Sequence, residues 1–194
     1  MFRQIFIAAL LGASTAAACP VAEDLDTSIS IIFNDGVTEV YRRSGTDVIA
    51  VEGRIDGVVG YRMQLAHGIH LLRYEDVENG RPVPSTLMVY DYGMAPADLP
   101  LPDPGGRGQA DVIVTRDGEA VEEDQSLVYG ERGSLEIGDC VYESLPVTIA
   151  YDTPDGYIEG LIYLPELEFA ILDWTQTGAE DRIEIAPLEI ARGK

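Results

Sequence analysis

From Thr27 onward apolar and polar residues alternate with a period of two, and turn-forming residues recur every eight to twelve positions. Successive side chains of a strand point to opposite faces, so such a pattern builds one apolar and one polar face per segment and directs the chain to antiparallel β structure. Ile29, Ile31 and Phe33 alternate with Ser28 and Ser30, and Asn34-Asp35-Gly36 then supplies a hairpin turn into residues 37–43. Residues 48–54 form a third segment. In residues 58–65, Val59, Tyr61, Met63 and Leu65 fall on one face and Gly60, Arg62 and Gln64 on the other. Further strands are predicted at 69–75, 87–92, 111–115, 126–130, 135–142, 145–151, 157–164, 169–174 and 182–190. Helix signals are almost absent after the first 18 residues. The expected fold is all-β, an antiparallel meander forming a half-barrel or a sandwich.

Prolines at 96, 100, 102 and 104 interrupt the pattern between residues 93 and 110, and none of them can donate to a β ladder. This stretch reads as a crossover joining approximate halves 19–92 and 111–194 of a single domain. The halves share a faint repeat. Each opens with a strand and an Asp-Gly turn, at Asp35-Gly36 and Asp117-Gly118; each later carries Gly-Tyr at the head of a strand, at Gly60-Tyr61 and Gly156-Tyr157.

The N-terminus bears on compartment. Arg3, the apolar run Ile5 to Leu11 and the small residues Ala16, Ala17 and Ala18 have the form of a cleavable signal peptide over residues 1–18. That run is shorter than the roughly 20 residues needed to span a bilayer, and no later segment is apolar enough to do so. Cys19 stands at the first mature position, where a bacterial lipoprotein carries its lipid, but Ala16 occupies the place where such signals usually have Leu. The alternative is a disulfide with Cys140, the other of the two cysteines, as an even count in an oxidising compartment favours. The sequence therefore points to a periplasmic or secreted protein, with a free, disulfide-closed domain preferred over a lipid-anchored one.

Beyond the leader the chain holds 12 basic and 34 acidic residues, a net charge of −22. Nucleic acid and anionic membranes are recognised through basic patches, so neither is an expected partner. Catalytic signatures are equally sparse, and no cofactor is implied. His67 and His70 are three apart, which on a strand sends them to opposite faces. No serine lies in a Gly-x-Ser-x-Gly elbow. The acidic run Glu119, Glu122, Glu123 and Asp124 and the turn with Asp152 and Asp155 could ligate calcium through oxygen, but neither follows an EF-hand loop.

One constellation stands out. Val59, Tyr61, Met63, Leu65, Leu72, Tyr74, Tyr90 and Tyr92 are expected to share one face of a curved sheet, either as core or as an apolar groove with aromatic walls. Arg62, Arg73 and Arg81, scarce cations in an acidic chain, would then sit at its rim and suit an anionic head group.

The stretch GDCVYESLPVTIAYDTPDGYIEGLIYLPELEFAIL resembles the closing part of secreted bacterial half-barrels related to lipoprotein-localisation factors. At the corner Tyr163-Leu164-Pro165-Glu166-Leu167-Glu168, however, Glu168 replaces the usual Gly. With its early Cys-Pro, GYRMQLAHGIHLLR and Cys-x-Tyr segment, the mature chain is also similar to uncharacterised exported proteins of marine alphaproteobacteria. These resemblances imply a compartment and a fold, not an activity. The leading expectation is a non-catalytic binding module for an apolar or lipid-like ligand. A structural or protein-interaction module of the cell envelope, pairing through an edge strand, and a calcium-assisted enzyme with an acidic site are the alternatives.

Overall fold

A computed structural model describes residues 18–193, so the leader predicted at 1–18 lies, but for Ala18, outside the described residues. Fifteen strands are present among them: β1 (Ile29–Phe33), β2 (Val37–Gly45), β3 (Val48–Ile55), β4 (Val58–Ala66), β5 (His70–Glu78), β6 (Arg81–Pro82), β7 (Met88–Asp91), β8 (Arg107–Arg116), β9 (Glu119–Tyr129), β10 (Gly133–Ile137), β11 (Cys140–Tyr151), β12 (Tyr157–Leu164), β13 (Phe169–Thr177), β14 (Ile183–Glu184) and β15 (Pro187–Arg192). They form one antiparallel sheet in the order β14-β13-β12-β11-β9-β8-β7-β5-β4-β3-β2-β1-β15, with β6 paired to β5 and β10 to β11. The only helical segments among the described residues are short 3₁₀ turns at Ala22–Asp26, Pro84–Thr86 and Pro96–Asp98. The all-β meander expected from the period-two pattern is the fold.

Turn chemistry sets the register. Asn79-Gly80 and Asp117-Gly118 both have positive φ at both positions, the two-residue geometry whose twist matches that of the flanking strands. They pair Glu78 with Arg81 and Arg116 with Glu119 directly.

The sheet rolls, so strands distant in its order meet face to face. Tyr41 of β2 stacks on Phe169 of β13, with ring centroids 4.0 Å apart and planes 12° from parallel. Around this pair lies the main core, which includes Leu25, Ile29, Ile31, Ile137 and Leu164, each fully buried. The turn between β4 and β5 docks on the start of β13, where the Ala170 N–H donates to the Gly68 carbonyl at 2.8 Å. A second core of Leu127, Val147, Ile149 and Tyr163 lies between β9, β11 and β12.

Several boundaries differ from the sequence reading. The strand predicted at 135–142 is broken by a turn at Gly138-Asp139, and its end runs on through 145–151 as the twelve-residue β11. Cys140 and Tyr142 of β11 face the main core, whereas Leu145, Val147 and Ile149 face the second. A strand serving two cores changes its buried parity midway, and that change looks like a break in the alternation. The acidic segment 119–125 is the first half of β9, and 182–190 divides into β14 and β15. The crossover is shorter than predicted, because β8 begins at Arg107. What remains is a strap whose Leu99 is buried with Ala66, Tyr92 and Val112.

Cys19 and Cys140 form a disulfide, with Cα atoms 5.7 Å apart. It fastens the start of the described chain to β11, and a sulfur bonded in this way cannot carry a lipid.

Candidate functional site

The aromatic set does not line one open groove. Gly60 is an extra residue opposite the β3 register, which pairs Gly53 with Tyr61 but Arg54 with Val59. This bulge turns Val59 away from the face that holds Tyr61 and Met63. Leu65 is buried in the main core, with Met63 packed against it. Leu72, Tyr90 and Tyr92 instead belong to the cluster beneath the strap. Tyr61 and Tyr74 stack at 5.9 Å, and the Tyr74 hydroxyl donates to Asp76 at 2.7 Å.

Two carboxyl groups beneath the tyrosines were not singled out from the sequence. Glu39 of β2 accepts from Tyr41 and, at 2.5 Å, from Tyr61. Glu159 of β12 accepts from Tyr151 and, at 3.4 Å, from Tyr157. Burial raises the pKa of both, and the tyrosine hydrogen bonds offset it only in part. The signal was present in Glu39-x-Tyr41 and Tyr157-x-Glu159, since residues two apart share a strand face. Burial also raises the Tyr90 hydroxyl, to about 12, with Glu123 and Glu159 adding to the effect. Tyr61, Tyr74, Tyr151 and Tyr157 donate to carboxyl groups and Tyr92 to the Gln125 side-chain carbonyl, so the tyrosines form a polar, structural lining rather than an apolar slot.

Arg62 and Arg73 do not sit at a rim of this face. They alternate with Tyr61, Met63 and Tyr74 along β4 and β5 and so project from the opposite side. There Arg62 pairs with Glu52 at 3.3 Å and Arg73 with Glu75 at 2.8 Å. Arg81 lies exposed on β6.

The histidines serve separate contacts. His67, in the β4–β5 turn, places Nδ1 3.9 Å from Asp47, whereas buried His70 contacts the Pro100 carbonyl through Nε2 at 2.8 Å and holds the strap. Among the described residues no three His, Cys, Asp or Glu are placed to hold a metal ion. The acidic run supplies no calcium cage because it is a strand: Glu119 and Glu123 point to one face, Glu122 and Asp124 to the other.

The same run is paired as a strand on one side only. β9 pairs with β8 from Glu119 to Val128, but with β11 only from Gln125 to Tyr129. Beyond Tyr151 the chain turns away, and the Asp152 N–H makes a last bond to the Asp124 carbonyl at 2.9 Å. Beside the edge lies a cleft of about 380 Å³ with Val114 and Val121 as apolar lining and Glu119, Glu123, Asp152 and Pro154 among its walls. On the other face of the hairpin a second cleft, of about 460 Å³, is lined by Asp91, Asp111, Glu122 and Asp124.

These features define a rolled, disulfide-closed antiparallel β protein with an acidic, half-open strand edge. Among solved structures it is similar to the hypothetical lipoprotein YmcC from Escherichia coli (K12), with a TM-score of 0.45 and 12% sequence identity over 84% of this chain and 86% of that one. No family model and no curated protein matches the chain. No helix among the described residues is long and apolar enough to cross a membrane.

Proposed function

We propose that the chain is an exported interaction module of the cell envelope that receives a basic, extended polypeptide segment along the open edge of β9. The signal-like N-terminus and the disulfide support the compartment, since disulfides persist where the environment is oxidising. The observation that carries the interaction is the stretch Glu119 to Asp124, paired with β8 on one side and, among the described residues, unpaired on the other up to Glu123, with carboxylates on both of its faces. An exposed edge presents N–H and C=O groups to an incoming strand, while side-chain pockets select its sequence. Charge selects the partner: like charges directly opposite one another are destabilising, so this edge repels a second copy of itself and favours lysine or arginine. The apolar or lipid-like ligand suggested by the aromatic face has less support, because Met63 and Leu65 pack in one core cluster and Leu72, Tyr90 and Tyr92 in another.

A synthetic peptide alternating Lys and Val, titrated into ¹⁵N-labelled protein, tests the reading. Perturbation of the amides of residues 119–124, with binding weakened by salt and lost in Glu119→Lys/Glu123→Lys, is expected. Unmoved edge amides, or binding indifferent to the charge reversal, would refute it.

A further inference from the structure

On the side of the sheet away from the tyrosines, four of the described arginines, Arg42, Arg54, Arg62 and Arg73, gather on neighbouring strands of a chain whose net charge beyond the leader is −22. The register arranges them in cross-strand rows. One row runs Arg42, Ala50, Gln64, Arg73 from β2 to β5; the next runs Val40, Glu52, Arg62, Glu75. Strands lie about 4.8 Å apart, so Arg42 and Arg73 rise roughly 14 Å from each other over the small side chain of Ala50. Between them is a cleft of about 180 Å³ lined by Arg42, Arg62, Arg73, Gln64, Glu52 and Glu75.

The donors facing this cleft are only partly used. A guanidinium carries five N–H groups. Among the described residues Arg42 gives one bond, from Nε to the Thr27 carbonyl at 3.2 Å, Arg62 gives one to Glu52 and Arg73 one to Glu75. Glu52 and Glu75 orient the arginines, but two carboxylates do not neutralise four guanidiniums. The shortage of acceptors shows again at Arg54, whose buried Nε has no hydrogen-bond partner among the described residues although its Nη2 reaches Glu52 at 3.1 Å.

We infer that this cleft is a binding site for a small soluble oxyanion, a phosphate or carboxylate group held between the guanidiniums of Arg42, Arg62 and Arg73 with the Gln64 amide beside them. The fork of a guanidinium matches the paired oxygens of such groups. The size of the cleft and the charge of the rest of the molecule favour a free small anion over an anionic membrane. At physiological ionic strength the repulsive field is screened over about 8 Å, which lets an ion reach a local cationic cluster but leaves a whole negative surface opposed by the acidic remainder.

The test is a titration with inorganic phosphate at constant ionic strength, chloride being the replaced ion, followed through the arginine Nε–Hε resonances. Saturable shifts at Arg42, Arg62 and Arg73, with Arg107 and Arg132 unmoved, are expected. Arg42→Gln should weaken binding about tenfold and Arg42→Gln/Arg73→Gln should abolish it, while Arg73→Lys, which keeps the charge but loses the fork, falls between. Thermal midpoints confirm that each variant is folded, and Arg42→Gln, which leaves both ion pairs intact, carries the test if the double variant is not. Equal shifts at all arginines would reduce the effect to screening and overturn the site. Binding to phosphatidylglycerol vesicles, with none to inorganic phosphate, would overturn the soluble ligand.

Discussion

The ring of Tyr61 lies across Gly53 on the neighbouring strand, so close that a Cβ at position 53 would stand 1.9 Å from Tyr61 Cζ. The same arrangement recurs in the second half, where Trp174 covers Gly160 and a Cβ would meet its Nε1 at 2.0 Å. In each case a missing side chain makes room for an aromatic one, and for Tyr61 this places the hydroxyl on Glu39.

Gly53→Ala should therefore destabilise, even though alanine is ordinarily preferred to glycine in a strand. The added methyl displaces the ring and its bond to Glu39, and overpacking of this kind costs about 1 to 3 kcal/mol. Tyr61→Phe keeps the ring over Gly53 and removes only the hydrogen bond, at about 1 to 2 kcal/mol. Urea unfolding of the two variants orders these costs; a Gly53→Ala protein as stable as the parent would mean that the ring is not held where it lies.

Glu39 and Glu159 give stability a pH dependence of definite sign. Burial lifts both folded-state pKa values above the ordinary 4.5, so the native state keeps these protons to higher pH than the unfolded chain does. Their contribution is complete below about pH 4.5 and is lost as pH rises through the raised values, at about 1.4 kcal/mol for each tenfold difference in proton affinity between the two states. Glu39→Gln is neutral at every pH and removes its share of that loss. The variant should match the parent near pH 4 and exceed it at pH 8, which thermal unfolding at the two pH values measures directly. An equal offset at both would show that Glu39 ionises in the folded state as freely as in the unfolded chain.

The sequence made the sheet legible because alternation and Asp-Gly or Asn-Gly turns are local: the segments at 29–33 and 157–164 coincide with β1 and β12. What depends on how the sheet rolls was not legible. Tyr41 and Phe169 are brought together by curvature that no local pattern encodes, and β11 hides its continuity by serving two cores. The aromatic set was read as one face because strict alternation ignores bulges, and a single extra residue at Gly60 is enough to reassign Val59. The arginines failed as a rim for the opposite reason: past the bulge, alternation holds from Tyr61 to Met63, and it places Arg62 behind the sheet. The open edge of β9 needed the partner strand to be known, since an acidic run reads alike whether paired on one side or two.

Arg43 explains how Glu168 occupies a glycine's position. Glu168 has φ of 60°, the left-handed conformation glycine adopts most easily, and its carboxylate lies 3.1 Å from Arg43, which also pairs with Asp26 at 3.2 Å. The conformation costs a non-glycine residue about 1 kcal/mol or more, and an exposed ion pair returns only part of that. Glu168→Gly relieves the strain but loosens the unfolded chain, two effects of similar size. Its stability should stay within about 1 kcal/mol of the parent. Glu168→Val combines a β-branched side chain with the same backbone and loses the pair, so it should fall by about 1 to 3 kcal/mol. Equal stability of the two variants in urea would show that the turn relaxes out of the left-handed region.

The disulfide offers the largest single effect. Cys19 and Cys140 are 121 residues apart, and in the chain-entropy picture closing so long a loop stabilises by about 4 to 5 kcal/mol. The native state is also tied here by other means: Tyr142 donates to the Pro20 carbonyl at 3.2 Å, Arg192 to the Cys19 carbonyl at 3.1 Å, and Leu25 is fully buried. These contacts hold the N-terminal segment in place without the covalent bond, so Cys19→Ser/Cys140→Ser should still fold. The variant should lose about 2 to 5 kcal/mol, and because the bond restrains mainly the unfolded chain, its denaturant slope should rise as that chain expands. A loss of stability with an unchanged slope would instead locate the effect in the native packing around Cys140.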